Sequence, residues 1–140
     1  MMERVDVAAI SFVPKKFGLE ANADQLETMF RQAAAGGAQL ALAPEGVLEG
    51  YVVMDIIEGR VPAEEMRAVA VSTRSAVMNR FRALAREVKI CLAFGLAESV
   101  GSDIYNSAVF IDQHGRLCGK YHKMQLAEGY HSSWWFNRLG

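Results

Sequence analysis

Between Val5 and Ala43 the chain reads strand, amphipathic helix, strand, and this order restricts what it can build. Val5–Phe12 is rich in Val, Ile and Phe and is apolar on both faces from Val7 to Ile10, as a parallel strand covered on both sides requires. Pro14, Lys15, Lys16 and Gly18 end it. Asn22 then stands as a good N-cap, and Gln25, three residues on, can reach back to it. Leu26, Met29, Phe30, Ala33 and Ala34 recur on one helical face. Gly36-Gly37 supplies the stop. Gln39–Ala43 is the second strand, ended by Pro44-Glu45-Gly46. A strand–helix–strand unit takes a right-handed crossover.

Downstream, Gly46–Ala70 is punctuated by Gly50, Gly59 and Pro62, and Pro62-Ala63-Glu64-Glu65 can open a short helix. Ser72 or Thr73 is placed to cap a further helix, with Val77, Met78, Phe81, Leu84, Ala85 and Val88 as its apolar stripe. Ile90–Ala97 reads as a third buried strand. Tyr105–Asp112 and Arg116–Gln125 flank Gln113-His114-Gly115 as a β-hairpin. The order β-α-β-α-β-β-β predicts an α/β layered fold with a mixed sheet. A length of 140 residues suits one domain. Trp134-Trp135-Phe136 near the end needs a surface to lie on. Either it folds back on the domain, or its partner surface belongs to chain beyond Gly140.

Charge and motifs exclude several classes. Fifteen basic against sixteen acidic residues leave a formal net charge of −1, without the basic excess that nucleic-acid binding uses. The turn after the first strand, Val13-Pro14-Lys15-Lys16-Phe17-Gly18, is neither GxGxxG nor a P-loop, which makes a nucleotide-binding domain the weakest reading. The longest apolar run, Val7–Val13, contains a serine, whereas a membrane span needs about 20 apolar residues. The acidic start Met1-Met2-Glu3 does not resemble a leader. A cytoplasmic protein is expected, with Cys91 and Cys118 as buried, reduced thiols.

In open α/β sheets ligands bind beyond the carboxyl ends of the strands. Glu45 stands there, fixed by Pro44 before it and Gly46 after it. It is either a solvated loop residue or a base whose partial burial lifts its pKa. Lys123 closes the last hairpin strand, where a lysine facing a pocket can hold a developing oxyanion. Lys120 is an odd number of residues away, so a regular strand points it to the other face, and it reads as the solvated lysine. His114 falls in a turn, His122 and Cys118 share a strand face without a second pair to complete a metal site, and His131 has no visible partner.

Four segments together resemble the nitrilase superfamily of carbon–nitrogen hydrolases. Val5-Asp6-Val7-Ala8-Ala9-Ile10 is similar to its opening strand, and Leu42-Ala43-Pro44-Glu45-Gly46 to the segment with its catalytic glutamate. Tyr105-Asn106-Ser107-Ala108-Val109 with Asp112–Gly115 is similar to its central hairpin, and Tyr121-His122-Lys123-Met124-Gln125-Leu126 to the segment with its catalytic lysine. The resemblance implies an α-β-β-α sandwich, here a partial mixed sheet with helices on one face. It implies hydrolysis of a small amide, N-carbamoyl or nitrile substrate by a Glu-Lys-Cys mechanism, with Glu45 as general base and Lys123 stabilising the tetrahedral intermediate. No metal or organic cofactor is implied, and homo-oligomers are. In the superfamily the nucleophilic cysteine follows the lysine. The residues after Lys123 contain no Cys, and neither Cys91 nor Cys118 matches the nucleophile's place. The expectation is one domain over residues 1–140, incomplete at its C-terminus, supplying Glu and Lys but not Cys and inactive alone. Members carry a second glutamate between the lysine and the cysteine; Glu128 falls in that interval, close to Lys123, whereas the position aligned near Ser132 carries no acid. The alternative is a noncatalytic binding or interaction domain on the same fold.

Overall fold

The strands line up in sequence order across one mixed sheet, β1-β2-β3-β4-β5, in a computed structural model that describes residues 4–140. Residues 1–3, weighed above against a leader, lie outside the described residues. β1 (Val7–Ala9), β2 (Leu40–Leu42) and β3 (Cys91–Val100) run parallel, with Val7 opposite Leu40 and Leu42 opposite Ala93. β4 (Asp103–Ile111) and β5 (Leu117–His122) continue antiparallel, with Gly95 opposite Ala108 and Ala108 opposite Tyr121. The helices are α1 (Leu19–Ala35), α2 (Val53–Ile57), α3 (Glu65–Val69) and α4 (Ala76–Val88). The mixed α/β sheet read from the sequence is present.

Strand alternation sends Leu92, Phe94 and Leu96 to one face of β3 and Ala93, Gly95 and Ala97 to the other. The two long helices cover the first face. Phe30 of α1 and Phe81 of α4 meet edge-on at 5.9 Å and both reach Phe94, at 6.0 and 4.9 Å between ring centroids. Such tilted and edge-on pairs are what aromatic quadrupoles favour. A second cluster joins α2 and α3 to the far end of the sheet through Val52, Val53, Ile56, Met66, Val69, Ala97 and Ile104. Phe136 completes it, so the aromatic terminus folds back on the domain. Ile104 donates its N–H to Trp135 O at 2.7 Å, Arg138 donates to Ile104 O at 2.9 Å, and the Arg67 guanidinium sits 3.8 Å from the Trp135 ring centroid.

Several local expectations are corrected. Asn22 does not cap α1, which starts at Leu19. It is buried inside the first turns, where its Oδ1 accepts the Lys15 N–H at 2.7 Å and its Nδ2 donates to Lys15 O and Leu48 O, each at 2.8 Å. Three bonds to backbone from a buried side chain outweigh one cap bond. The cap of α4 is Ser75, whose Oγ accepts the Met78 N–H at 3.3 Å, not Ser72 or Thr73. Cys118 is exposed and Cys91 half-buried, both free. Lys120 is not solvated alone, since its Nζ lies 2.8 Å from the buried Glu98 Oε1. Among the described residues no helix is long and apolar enough to cross a membrane.

Candidate active site

The turn that carries Glu45 is built against β3. Ala43 donates to Ala93 O at 2.8 Å and Gly95 to Pro44 O at 3.1 Å, so pairing with β3 outlasts strand β2. Gly46 takes φ 61°, a left-handed conformation that glycine adopts cheaply. Its carbonyl then accepts the Gly50 and Tyr51 N–H groups, each at 3.0 Å. Val47 and Leu48 are driven into the core, and the exit leaves the Glu45 side chain 43% exposed.

Lys123 arrives from the opposite side. Its N–H donates to Asn106 O at 2.8 Å, holding it to β4 just past the end of β5. Its Nζ lies 2.7 Å from Glu45 Oε1, and Asn106 Nδ2 donates to the same oxygen at 2.6 Å. The carboxylate is thereby fixed from two directions by residues far from it in sequence. The hydrogen bond to Glu45 lifts the Lys123 pKa above the ordinary lysine value despite partial burial, with the charges of Tyr51 and Glu128 adding to the effect. The ammonium stays charged at neutral pH. Lys120 and Lys123 do point to opposite faces, and Lys120 belongs to a separate cluster in which Ser107 Oγ and His122 Nε2 approach Glu98 Oε2 at 2.8 and 2.7 Å.

Glu128 is brought to the edge of this site. Its Oε1 accepts Asn137 Nδ2 at 2.8 Å, and its Oε2 is buried without a partner. Its charge reaches both Lys123 and Tyr51. Burial first, then Glu45 and Glu128, push the Tyr51 phenol above its ordinary value. Glu49, four residues after Glu45, is buried with Oε2 on the Ala97 N–H at 2.9 Å. Burial pushes it up to about 7.

A cavity of about 400 Å³ opens beside the pair, with Glu45, Asn106 and Lys123 as its polar rim and Leu42, Ala93, Ala108 and Tyr121 as apolar walls. Neither cysteine lines it. Cys91 Sγ lies 3.4 Å from Gln113 Oε1 and Cys118 Sγ 3.5 Å from Arg116 O. Among the described residues no group of His, Cys, Asp and Glu side chains is gathered as a metal site.

Sequence reasoning missed Asn106, Glu49 and Tyr51 as neighbours of the pair. Asn106 stood in the quoted hairpin segment. Its role follows only from strand register, which sets Lys123 opposite it.

The mixed α/β sheet thus sets a carboxylate at a strand exit against an ammonium from the closing hairpin. The family profile of the carbon-nitrogen hydrolases matches residues 6–136, and the chain belongs to that family. An aliphatic nitrilase of Sinorhizobium fredii is 26% identical over 144 residues, covering 96% of this chain and 46% of the nitrilase. The solved NitN amidase of Nesterenkonia sp. AN1 superposes with a TM-score of 0.73 at 26% identity, covering 98% of this chain and 50% of the amidase. A mutant of that amidase, solved with butyramide, gives a TM-score of 0.68 at 28% identity over 87% of this chain and 44% of its own. The chain thus spans half or less of the length of these relatives.

Proposed function

We propose that the chain supplies the general base and the oxyanion cation of a hydrolase for small amides, N-carbamoyl compounds or nitriles. The observation that carries this is the 2.7 Å contact between Glu45 Oε1 and Lys123 Nζ beside an apolar cavity. Glu45 takes the proton of an incoming thiol as sulfur bonds to the amide carbon. The carbonyl oxygen gains the negative charge and is met by the Lys123 ammonium. Collapse breaks the C–N bond, and the proton returns from Glu45 to the leaving amine. Water, deprotonated by Glu45, then releases the acid from the thioester. Asn106 holds the Glu45 carboxylate at its station by the 2.6 Å bond. Glu128, with its unpartnered Oε2, serves as the second acid that keeps the Lys123 side positively charged.

The sulfur comes from outside these 140 residues, because neither Cys91 nor Cys118 lines the cavity beside Glu45 and Lys123. Residues 1–140 then form one incomplete domain that is inactive alone. The sheet face with the exposed Leu42, Phe110 and Tyr121 is where the second layer of an α-β-β-α sandwich would lie. The complete protein is cytoplasmic and assembles with copies of itself.

The test is a chain extended through the next downstream cysteine, assayed on butyramide and an aliphatic nitrile. Glu45→Gln and Lys123→Ala should each reduce kcat at least about 100-fold, and the 140-residue chain should be silent. Full activity in either variant overturns the assignment.

A further inference from the structure

Glu49 makes no contact in the Glu45–Lys123 pair, yet it is built into the turn that presents Glu45. The amides of β3 that face away from β4 need acceptors after β2 stops. Gly95 finds Pro44 O at 3.1 Å and Ser99 finds Val71 O at 3.0 Å. Between them Ala97 finds no backbone, and the Glu49 carboxyl takes the place of a strand by accepting its N–H at 2.9 Å. The other carboxyl oxygen lies against Gly46, the residue that follows Glu45. A Cβ on Gly46 would come within 2.8 Å of Glu49 Oε1. The carboxyl therefore bridges the sheet and the first residue of the turn. A group that is 6% exposed and bonded in this way cannot shift without moving one or the other.

We infer that Glu49 is a positioning residue, whose carboxyl locks the Gly46–Tyr51 turn onto β3 and so sets where Glu45 meets Lys123. This deepens the catalytic reading of that pair and rests on it only for its consequence in turnover. The charge of Glu45 reaches Glu49 across the same turn, the Tyr51 phenol interacts with it, and β3 offers it the Ala97 amide. Burial and Glu45 push the Glu49 carboxyl up to about 7, so the site keeps it at some cost.

The test reads the contact itself in the 140-residue chain. The Lys123 ammonium is followed by NMR through a pH titration, and exchange of the Ala97 amide is measured alongside. Glu49→Ala should lower the Lys123 midpoint by about 0.5 unit or more and speed Ala97 exchange at least about tenfold. Glu49→Gln removes the charge but keeps an acceptor, and should hold both near the parent values. If Glu49→Ala does not fold, Glu49→Asp draws the carboxyl back by one methylene and should lower the Lys123 midpoint in the same direction. A Lys123 midpoint unmoved in the folded Ala or Asp variant, whatever Ala97 does, overturns the inference. Loss of the catalytic reading would instead show as Glu45→Gln retaining hydrolysis in the extended chain, a separate result.

Discussion

Gly95 of β3 lies directly beneath Glu45: a Cβ on Gly95 would stand 2.6 Å from Glu45 Cα and 2.6 Å from Gly46 N. Both are backbone atoms, so no side chain can swing aside. Gly95→Ala should cost about 1–3 kcal/mol and displace the Glu45 turn. Urea denaturation checks the first effect and a crystal structure of the variant the second. An unchanged midpoint together with an unmoved Glu45 would show that the turn has slack this packing denies.

The Glu45–Lys123 contact contributes little to folding. The two side chains are 43% and 24% exposed, and ion pairs in such settings contribute about 0–1 kcal/mol. Lys123→Met should therefore shift chain stability by no more than about 1 kcal/mol. Chemical denaturation measures it, and a loss several times larger would recast Lys123 as a structural anchor.

Asn22 offers a test of its own placement. Asn22→Ala removes three bonds from a buried site and should cost about 2–4 kcal/mol. Asn22→Asp is the sharper probe. At an N-cap aspartate serves about as well as asparagine, but here it cannot donate to Lys15 O and Leu48 O. Thermal unfolding should show the Asp variant nearly as damaged as the Ala variant. Parent-like stability in Asn22→Asp would return the residue to a capping role.

Glu98 sets part of the pH response. Burial works to raise its pKa, but hydrogen bonds from Lys120, Ser107 and His122 outweigh burial and leave it below the ordinary carboxylate value of 4.5. A lowered folded-state pKa gives stability that is present above the unfolded value and lost as pH falls through the folded one. The stability gap between parent and Glu98→Gln should be widest near neutrality and shrink below about pH 4. Denaturant titrations at the two pH values measure this, and a gap that grows on acidification contradicts it.

The sheet was legible because its strands are apolar runs punctuated by Gly and Pro, and α1 and α4 because their apolar faces repeat, whereas the five-residue α2 shows too little of a period to be read. These are local signals, and they also placed Glu45 at a strand exit and put Lys120 and Lys123 on opposite faces. Asn22 misled as a cap because its three partners are backbone groups of Lys15 and Leu48, which no spacing reveals. Lys120 looked solvated for the same reason, as Glu98 lies on another strand.

By itself the sequence determined the order of the strands and of the two long helices, and it placed Glu45 at a strand exit and Lys123 at the end of the last hairpin, since hydrophobic period and turn chemistry act over a few residues. Only the tertiary structure decided that they touch, that Asn106 shares the same oxygen, and that Glu49 replaces a missing strand at Ala97. Those facts depend on strand register and burial, which arise when segments distant in the chain compete for the same unpaired groups.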